Sequence, residues 1–314
     1  MTVLHLVTGG TSGIGLELVR LLLADPANRV IVGARRPAAG ALRAVADEDR
    51  LEILPLDLAS LASTVAFADA VLARLADDRL ASLAANAGIQ SVAGKRMTVD
   101  GYEETLQANW LAHALLIERL LPVLAAGAPV VFTASGTHDP ANGAARLFGF
   151  RGGVYPGIDR VAKGDLDASA SEKQLGLDRY ATSKLVAILH VYALARSTPA
   201  GGPRWCAFDP GLMPGTGLAR DRSPLERWAW STILPVVARA MPGASTPRRS
   251  AETYARLLTG RLFPQETGVH LDFSGRRTES SVDSYRREWQ DEVAAFARAS
   301  SQDWRPAVSE MASR

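Results

Sequence analysis

Tyr180 and Lys184 stand four residues apart in the stretch YATSK. On a helix that spacing puts both side chains on one face. A phenol is a poor acid–base group at neutral pH. A neighbouring ammonium stabilises its phenolate and draws its pKa toward the working range. Only four of the chain's 35 basic residues are lysines, at 95, 163, 173 and 184, so a lysine at this spot hints at a need for a compact cation. The plain alternative is a surface Tyr–Lys pair. A second stretch, TGGTSGIG at Thr8–Gly15, follows the apolar run Val3–Val7 and spaces its glycines as G-x-x-x-G-x-G at Gly9, Gly13 and Gly15. It is either a tight turn or a seat for an anion. Glycines let the backbone approach a pyrophosphate, and a helix starting there presents amides and the positive end of its dipole.

Dinucleotide-binding turns of this kind often place an acid about 20 residues on, where it binds the ribose 2′-hydroxyl of NAD. Here that position is Arg35, followed by Arg36. Guanidinium groups suit a 2′-phosphate, which points to NADP(H); the alternative is an ordinary basic loop. Ser135 closes the run PVVFTAS at the strand edge where ligands of open α/β sheets bind. Asn109 falls inside a helical stretch, LQANWLAH, where asparagine is a poor helix former.

The elements that must position these groups alternate. Apolar, β-rich runs recur at Val3–Val7, Arg29–Val32, Leu51–Leu56, Leu80–Ala84, Pro129–Thr133, Arg204–Phe208 and Gly268–Phe273. Leu16–Ala24, Leu61–Leu75 and Glu103–Leu124 between them have helical spacing. Continuous apolar strands separated by helices predict a parallel sheet covered on both faces. Val282, Tyr285, Trp289, Val293 and Phe296 form a further helical stripe expected to dock on the body, with a free tail as the alternative.

Composition narrows the classes. The 314 residues are 47% hydrophobic and 22% charged, enough for a full core. A net charge of +2 without like-charge runs argues against a nucleic-acid partner. The single cysteine, Cys206, permits no internal disulfide. With no signal-peptide pattern and no apolar stretch long enough to span a bilayer, a cytoplasmic protein with no integral membrane segment is expected. No cluster has metal-ligand spacing, so no metal is expected. His138 and Asp139 lie close after Ser135, but no G-x-S-x-G elbow surrounds it and a hydrolase triad is not expected. His138 is read as a pocket or turn residue.

Four stretches in order, TGGTSGIG, Asp57–Leu58, Asn86–Ala87–Gly88 and YATSK, resemble the short-chain dehydrogenase/reductase family over residues 1–275. The resemblance implies a single Rossmann-type α/β domain with a doubly wound, mainly parallel seven-stranded sheet and helices on both faces. It implies cofactor contacts from Thr8, Gly9, Thr11, Ser12, Gly13, Ile14, Gly15, Arg35, Arg36, Tyr180 and Lys184. Asp57 and Leu58 are implied near the adenine, Asn86, Ala87 and Gly88 along the cleft, and Pro210 and Gly211 facing the nicotinamide. Ser135 is implied to polarise the substrate oxygen, and Asn109 to help hold a water that relays protons to Lys184. With Tyr180 and Lys184 these make a complete set, which weighs against a non-catalytic NADP(H)-sensing regulator.

The implied activity is NADP(H)-dependent hydride transfer to or from a carbonyl or alcohol of a small molecule, by a monomer or homodimer. Ser135 and Tyr180 are 45 positions apart, long for the family. That insert (136–179) and DPGLMPGTGLAR resemble the branch of light-dependent protochlorophyllide reductase, a C=C reductase; retinol-dehydrogenase-like enzymes share the early Arg–Arg pair. The pigment reductases use a pocket cysteine, whereas Cys206 lies inside the sixth run and is read as core. The sugar-nucleotide epimerases, usually G-x-x-G-x-x-G, differ at Ser12. Residues 212–250 are expected as a lid. Within it Trp228, Trp230, Ile233, Leu234, Val236 and Val237 would favour a bulky, apolar substrate, or else form an oligomer contact or membrane-surface patch. Residues 276–314 are expected as a helical extension on the same domain.

Overall fold

Each β-rich run becomes a strand in the computed structural model, which describes residues 3–36, 42, 49–75, 77–92, 94–213, 243–302 and 304. The strands are β1 (Val3–Thr8), β2 (Asn28–Ala34), β3 (Leu51–Pro55), β4 (Leu80–Ala85), β5 (Pro129–Thr133), β6 (Arg204–Asp209) and β7 (Val269–Asp272). They form one sheet in the order β3-β2-β1-β4-β5-β6-β7, parallel at every pairing. Successive side chains alternate between two cores. Leu4 and Leu6 of β1 face one, Val7 the other, and Trp205 and Ala207 of β6 oppose Cys206 and Phe208 in the same way. Burial on both faces is why these strands read as unbroken apolar runs. The chain winds outward from β1 in one direction and from β4 in the other. A crevice therefore opens at the carboxyl ends of β1 and β4, the switch point where such sheets take ligands.

Helix α1 (Gly13–Leu23) follows β1, and α2 (Leu61–Leu75) follows β3. The helix expected over Glu103–Leu124 is broken into four pieces, together α3: Glu104–Leu106, a π turn at Gln107–Leu111, Ala112–Leu120 and a closing 3-10 turn at Leu121–Val123. Asn109 sits within the π turn, an irregularity common at functional sites. Short helices α4 (Gly143–Leu147) and α5 (Ile158–Lys163) lie in the insert. The 26-residue α6 (Glu172–Ser197) carries Tyr180 and Lys184, starting at Ser171, whose hydroxyl accepts from the Gln174 amide. Helix α7 (Pro247–Leu258) packs beside α1, and α8 (Arg287–Gln302) lies on α6 and α3.

The C-terminal stripe docks only in part. Val293 is fully buried, and Phe296 stacks on Trp110 at 6.2 Å between ring centroids and meets Tyr102 edge-on at 6.0 Å. Val282, however, is 87% exposed. Residues Val282–Tyr285 form a 3-10 turn, whose three-residue period takes them out of phase with the α-helix that follows. Phe296→Ala is therefore expected to destabilise the fold by about 3 kcal/mol, as for an aromatic removed from a packed site. Val282→Ala should stay within about 0.5 kcal/mol. Urea unfolding midpoints compare the two, and equal effects would mean that the stripe does not dock in this phase.

Residues 214–242, which hold most of the expected lid and all six of the apolar residues named in it, lie outside the described residues. Among the described residues no helix is long and apolar enough to cross a membrane.

Candidate active site

The glycine stretch wraps from β1 into α1. Thr8 is fully buried, and its hydroxyl collects the amides of Asn86 and Ala87, each at 3.0 Å, while Nε2 of His113 lies 2.9 Å away. Asn86 donates in turn from Nδ2 to the Thr8 carbonyl at 2.9 Å. The ends of β1 and β4 are thus tied together at the crevice. Gly9 has φ +70°, and a Cβ there would meet Ala87 at 2.9 Å. Gly15 is closed to any side chain: its Cβ would fall on the Gly9 carbonyl oxygen and 2.7 Å from Asn86 Nδ2. Gly13, at φ +56°, faces open space. Ser12 precedes α1 in extended backbone and makes no side-chain cap, so the first amides of the helix are left to a ligand or solvent. Thr11 is half-buried at the turn, and Ile14 is buried. A diphosphate fits this seat.

Arg35 and Arg36 leave the end of the adjacent strand β2 and are both exposed. Asp57, also exposed, follows β3; its Oδ1 accepts from the Ala59 amide at 3.1 Å. Leu58 beside it is buried. Gly88 presses against two candidate residues at once: its Cβ would lie 3.1 Å from Asn109 Oδ1 and 3.5 Å from Lys184 Nζ. Pro210 is buried, and its carbonyl accepts from Ser250 at 2.7 Å. Gly211 takes φ +76° against Phe273.

Four residues converge beyond this crevice. Lys184 donates from Nζ to the Thr133 carbonyl at 2.8 Å and lies 5.6 Å from the centre of the Tyr180 ring. Ser135 acts on the Tyr180 hydroxyl from close by, and the Ser135 hydroxyl accepts from Thr137 Oγ1 at 3.1 Å. The amide of Asn109 is consumed in cross-links. Nδ2 donates to the Ile89 carbonyl and to Ser183 Oγ, both at 2.9 Å, and Oδ1 accepts from the Ile89 amide at 2.7 Å. Ser183 is the residue before Lys184, so these bonds hold the lysine's turn of α6 against the β4 loop.

The long insert is clamped on both sides of Tyr180. Arg151 grips the fully buried carboxylate of Asp178 through Nε and Nη2, and Thr182 bonds both the amide and the carbonyl of Val154. Glu292 of α8 takes the Tyr155 hydroxyl at 2.9 Å and the Ile158 amide at 3.1 Å. This brings Phe150 to 6.0 Å from the Tyr180 ring, in an apolar cluster with Leu177 and Ala181.

The short chain dehydrogenase family model matches residues 4–145. The short chain dehydrogenase/reductase mfmJ of Annulohypoxylon moriforme is 30% identical over 93% of this chain and 83% of its own length. This chain belongs to the short-chain dehydrogenase/reductase family. The polyprenol dehydrogenase of Danio rerio is 29% identical over 92% of this chain and 83% of its own. Several curated relatives are longer, the chain spanning 53% to 64% of three of them. Among solved structures, NADPH-bound carbonyl reductase from chicken fatty liver shares the fold with a TM-score of 0.61 and 19% identity, covering 88% of this chain and 94% of that one. The protein is thus an oxidoreductase of a family and fold that bind a nicotinamide cofactor.

Electrostatics in this dehydrogenase/reductase depart from the tuning expected of a Tyr–Lys pair. Burial pushes Tyr180 up to about 12, against the pull of Ser135 nearby, and the Asp209 carboxylate adds to the rise. Burial draws Lys184 down to about 8, with Asp209 opposing. Desolvation dominates at both groups, for each is buried, and Lys184 directs one of its ammonium protons to the Thr133 carbonyl. His138 is a turn residue. Its Nδ1 donates to the Ser135 carbonyl at 2.6 Å and its Nε2 accepts from the Ser281 amide at 3.1 Å, which fixes a neutral tautomer. Cys206 is fully buried in β6, and burial pushes its thiol up to about 12, as befits a core residue. Two participants escaped the sequence reading. His113 left the helical signal of an i+4 partner to Asn109. Asp209 left an acid directly before Pro210–Gly211, at a strand's carboxyl end.

Proposed function

We propose that the protein is an NADP(H)-dependent oxidoreductase that transfers a hydride between nicotinamide and the carbonyl or alcohol carbon of a bulky, apolar small molecule. The observation that carries this reading is the meeting of Ser135, Tyr180 and Lys184 beside an uncapped helix N-terminus. A bound nicotinamide supplies or accepts the hydride. The Thr8–Gly15 turn and the first amides of α1 hold the diphosphate, and Arg35 and Arg36 hold a 2′-phosphate. Asp57 and Leu58 border the adenine, Asn86, Ala87 and Gly88 the cleft, and Pro210 and Gly211 the nicotinamide. Tyr180 gives a proton to the substrate oxygen or takes one from it, Ser135 donates a hydrogen bond to that oxygen, and Lys184 binds ribose hydroxyls. Asn109 braces the Lys184 turn.

The apolar substrate class follows from Phe150 and Leu177 beside Tyr180 and is in keeping with the relative named for polyprenol. Residues 1–275 form the cofactor-binding domain and 276–314 an extension of it, in a cytoplasmic monomer or homodimer. Fluorescence titration with NADPH and NADH, followed by absorbance assays over aldehydes, ketones and alcohols, tests the reading. Replacing Arg35 and Arg36 with alanine is expected to weaken NADPH roughly 30-fold, about 2 kcal/mol for lost bonds to a charged group. NADH binding should hardly move. A protein that prefers NADH would remove the role given to this pair.

A further inference from the structure

The turn after β5 directs four donors at Ser135. Its carbonyl accepts from the His138 amide at 3.2 Å and from His138 Nδ1 at 2.6 Å. Its hydroxyl accepts from the Thr137 amide at 3.4 Å and from Thr137 Oγ1 at 3.1 Å. Ser135 is extended, at φ −167° and ψ 143°, and opens the 3-10 turn Gly136–His138 that brings Thr137 round to it. The frame behind these donors is closed. His138 is buried, and its Nε2 holds the Ser281 amide at 3.1 Å, so the stretch ahead of α8 pins the turn from outside. At Gly136, between Ser135 and Thr137, a Cβ would collide with Asn142 Nδ2 and come within 3.0 Å of Asp209 Oδ2.

A serine hydroxyl has two lone pairs and one proton. The Thr137 amide can only donate, so it takes one lone pair whichever way the hydroxyls turn. The Thr137 hydroxyl takes the other, and the Ser135 proton is left to donate elsewhere. We propose that Thr137 is a positioning residue, which fills the acceptor side of Ser135 Oγ and so aims the Ser135 proton at the oxygen that reacts. The inference rests on the oxidoreductase reading above. In reduction the carbonyl carbon gains a hydride from a reduced nicotinamide, which leaves oxidised. The carbonyl oxygen gains the Tyr180 proton, C=O becomes CH–OH, and solvent reprotonates the phenolate. Negative charge develops on that oxygen in the transition state, and a donor already turned toward it needs no reorganisation. The reverse bond, from Ser135 to Thr137 Oγ1, would turn the proton away from the substrate. Removing the Thr137 hydroxyl would then raise the rate.

Thr137→Val removes the hydroxyl and keeps the shape, and Thr137→Ala serves where the valine variant fails to fold. With decanal, a long apolar aldehyde, and saturating NADPH, kcat is expected to fall about tenfold, the scale of one misdirected hydrogen bond. Affinity for NADPH should stay within about twofold, and Thr137→Ser should recover most of the parental kcat. In a Ser135→Ala background Thr137→Val should lower kcat no further, because no proton is left to aim. A mere brace for the turn would be missed equally in both backgrounds. An additive loss, no recovery with serine, or a Thr137→Val variant as fast as the parent or faster would each overturn the proposal. Neutron diffraction from the deuterated full chain reads the bond direction without turnover. The Thr137 deuteron is expected on the line to Ser135 Oγ, and a Ser135 deuteron on that line would equally overturn the proposal. The expected deuteron positions in a protein that reduces neither decanal nor any other carbonyl would sustain the positioning and sink the oxidoreductase reading instead.

Discussion

Tyr180→Phe is expected to lower kcat about 1,000-fold while changing NADPH affinity less than twofold, within the range for loss of a general acid–base group. The ring of Tyr180 packs in the cluster with Phe150, Leu177 and Ala181, and phenylalanine fills that space. What disappears is the hydroxyl on which Ser135 acts. Among the described residues beside it, neither Lys184 nor His138 readily takes over the proton. Lys184 donates to Thr133, and His138 has both nitrogens engaged and is pulled down to about 4 by burial. Single-turnover kinetics with saturating NADPH separate the proton step from binding. Retention of more than a tenth of parental kcat would take the proton donor's role from Tyr180.

Gly15→Ala should cost cofactor affinity on a comparable scale, by a different route. The added methyl would collide with the Gly9 carbonyl and crowd Asn86 Nδ2. Neither obstacle is a flexible side-chain end. The Gly9 carbonyl belongs to the turn itself, and Asn86 is bonded to Thr8. Relieving the clash must displace the phosphate seat, at about 3 kcal/mol for overpacking, which is roughly 150-fold in Kd. Gly13→Ala probes the opposite case. It meets open space but strains a left-handed φ of +56°, so its effect should read mainly in thermal unfolding. Calorimetric titration with NADPH distinguishes them, and parental affinity in Gly15→Ala would mean that the turn holds no diphosphate.

Much of the frame was legible along the chain. A strand buried on both faces must be apolar throughout, so all seven runs could be read directly, with only their ends moving. Val3–Val7 gains Thr8, for example, because the Gly33 partner extends its ladder with β2. The glycine spacing and the four-residue step from Tyr180 to Lys184 were equally readable, since turns and helices are local. Less legible was the α3 region, where Asn109 lies in a π turn beside bonds to Ile89 and Ser183, residues distant in sequence. Val282 was misassigned because periodicity cannot tell a 3-10 turn from the first turn of an α-helix.

Local order along the chain by itself determined a parallel, helix-covered sheet, a glycine turn followed by two arginines, and a phenol and an ammonium on one helical face. Tertiary structure alone decided that Ser135 comes close to Tyr180 and that Glu292 and Asp178 clamp the insert. It also decided which way the pair's proton affinities move. Burial and Coulomb interactions depend on what lies within a few ångströms in space, and sequence distance says little about that.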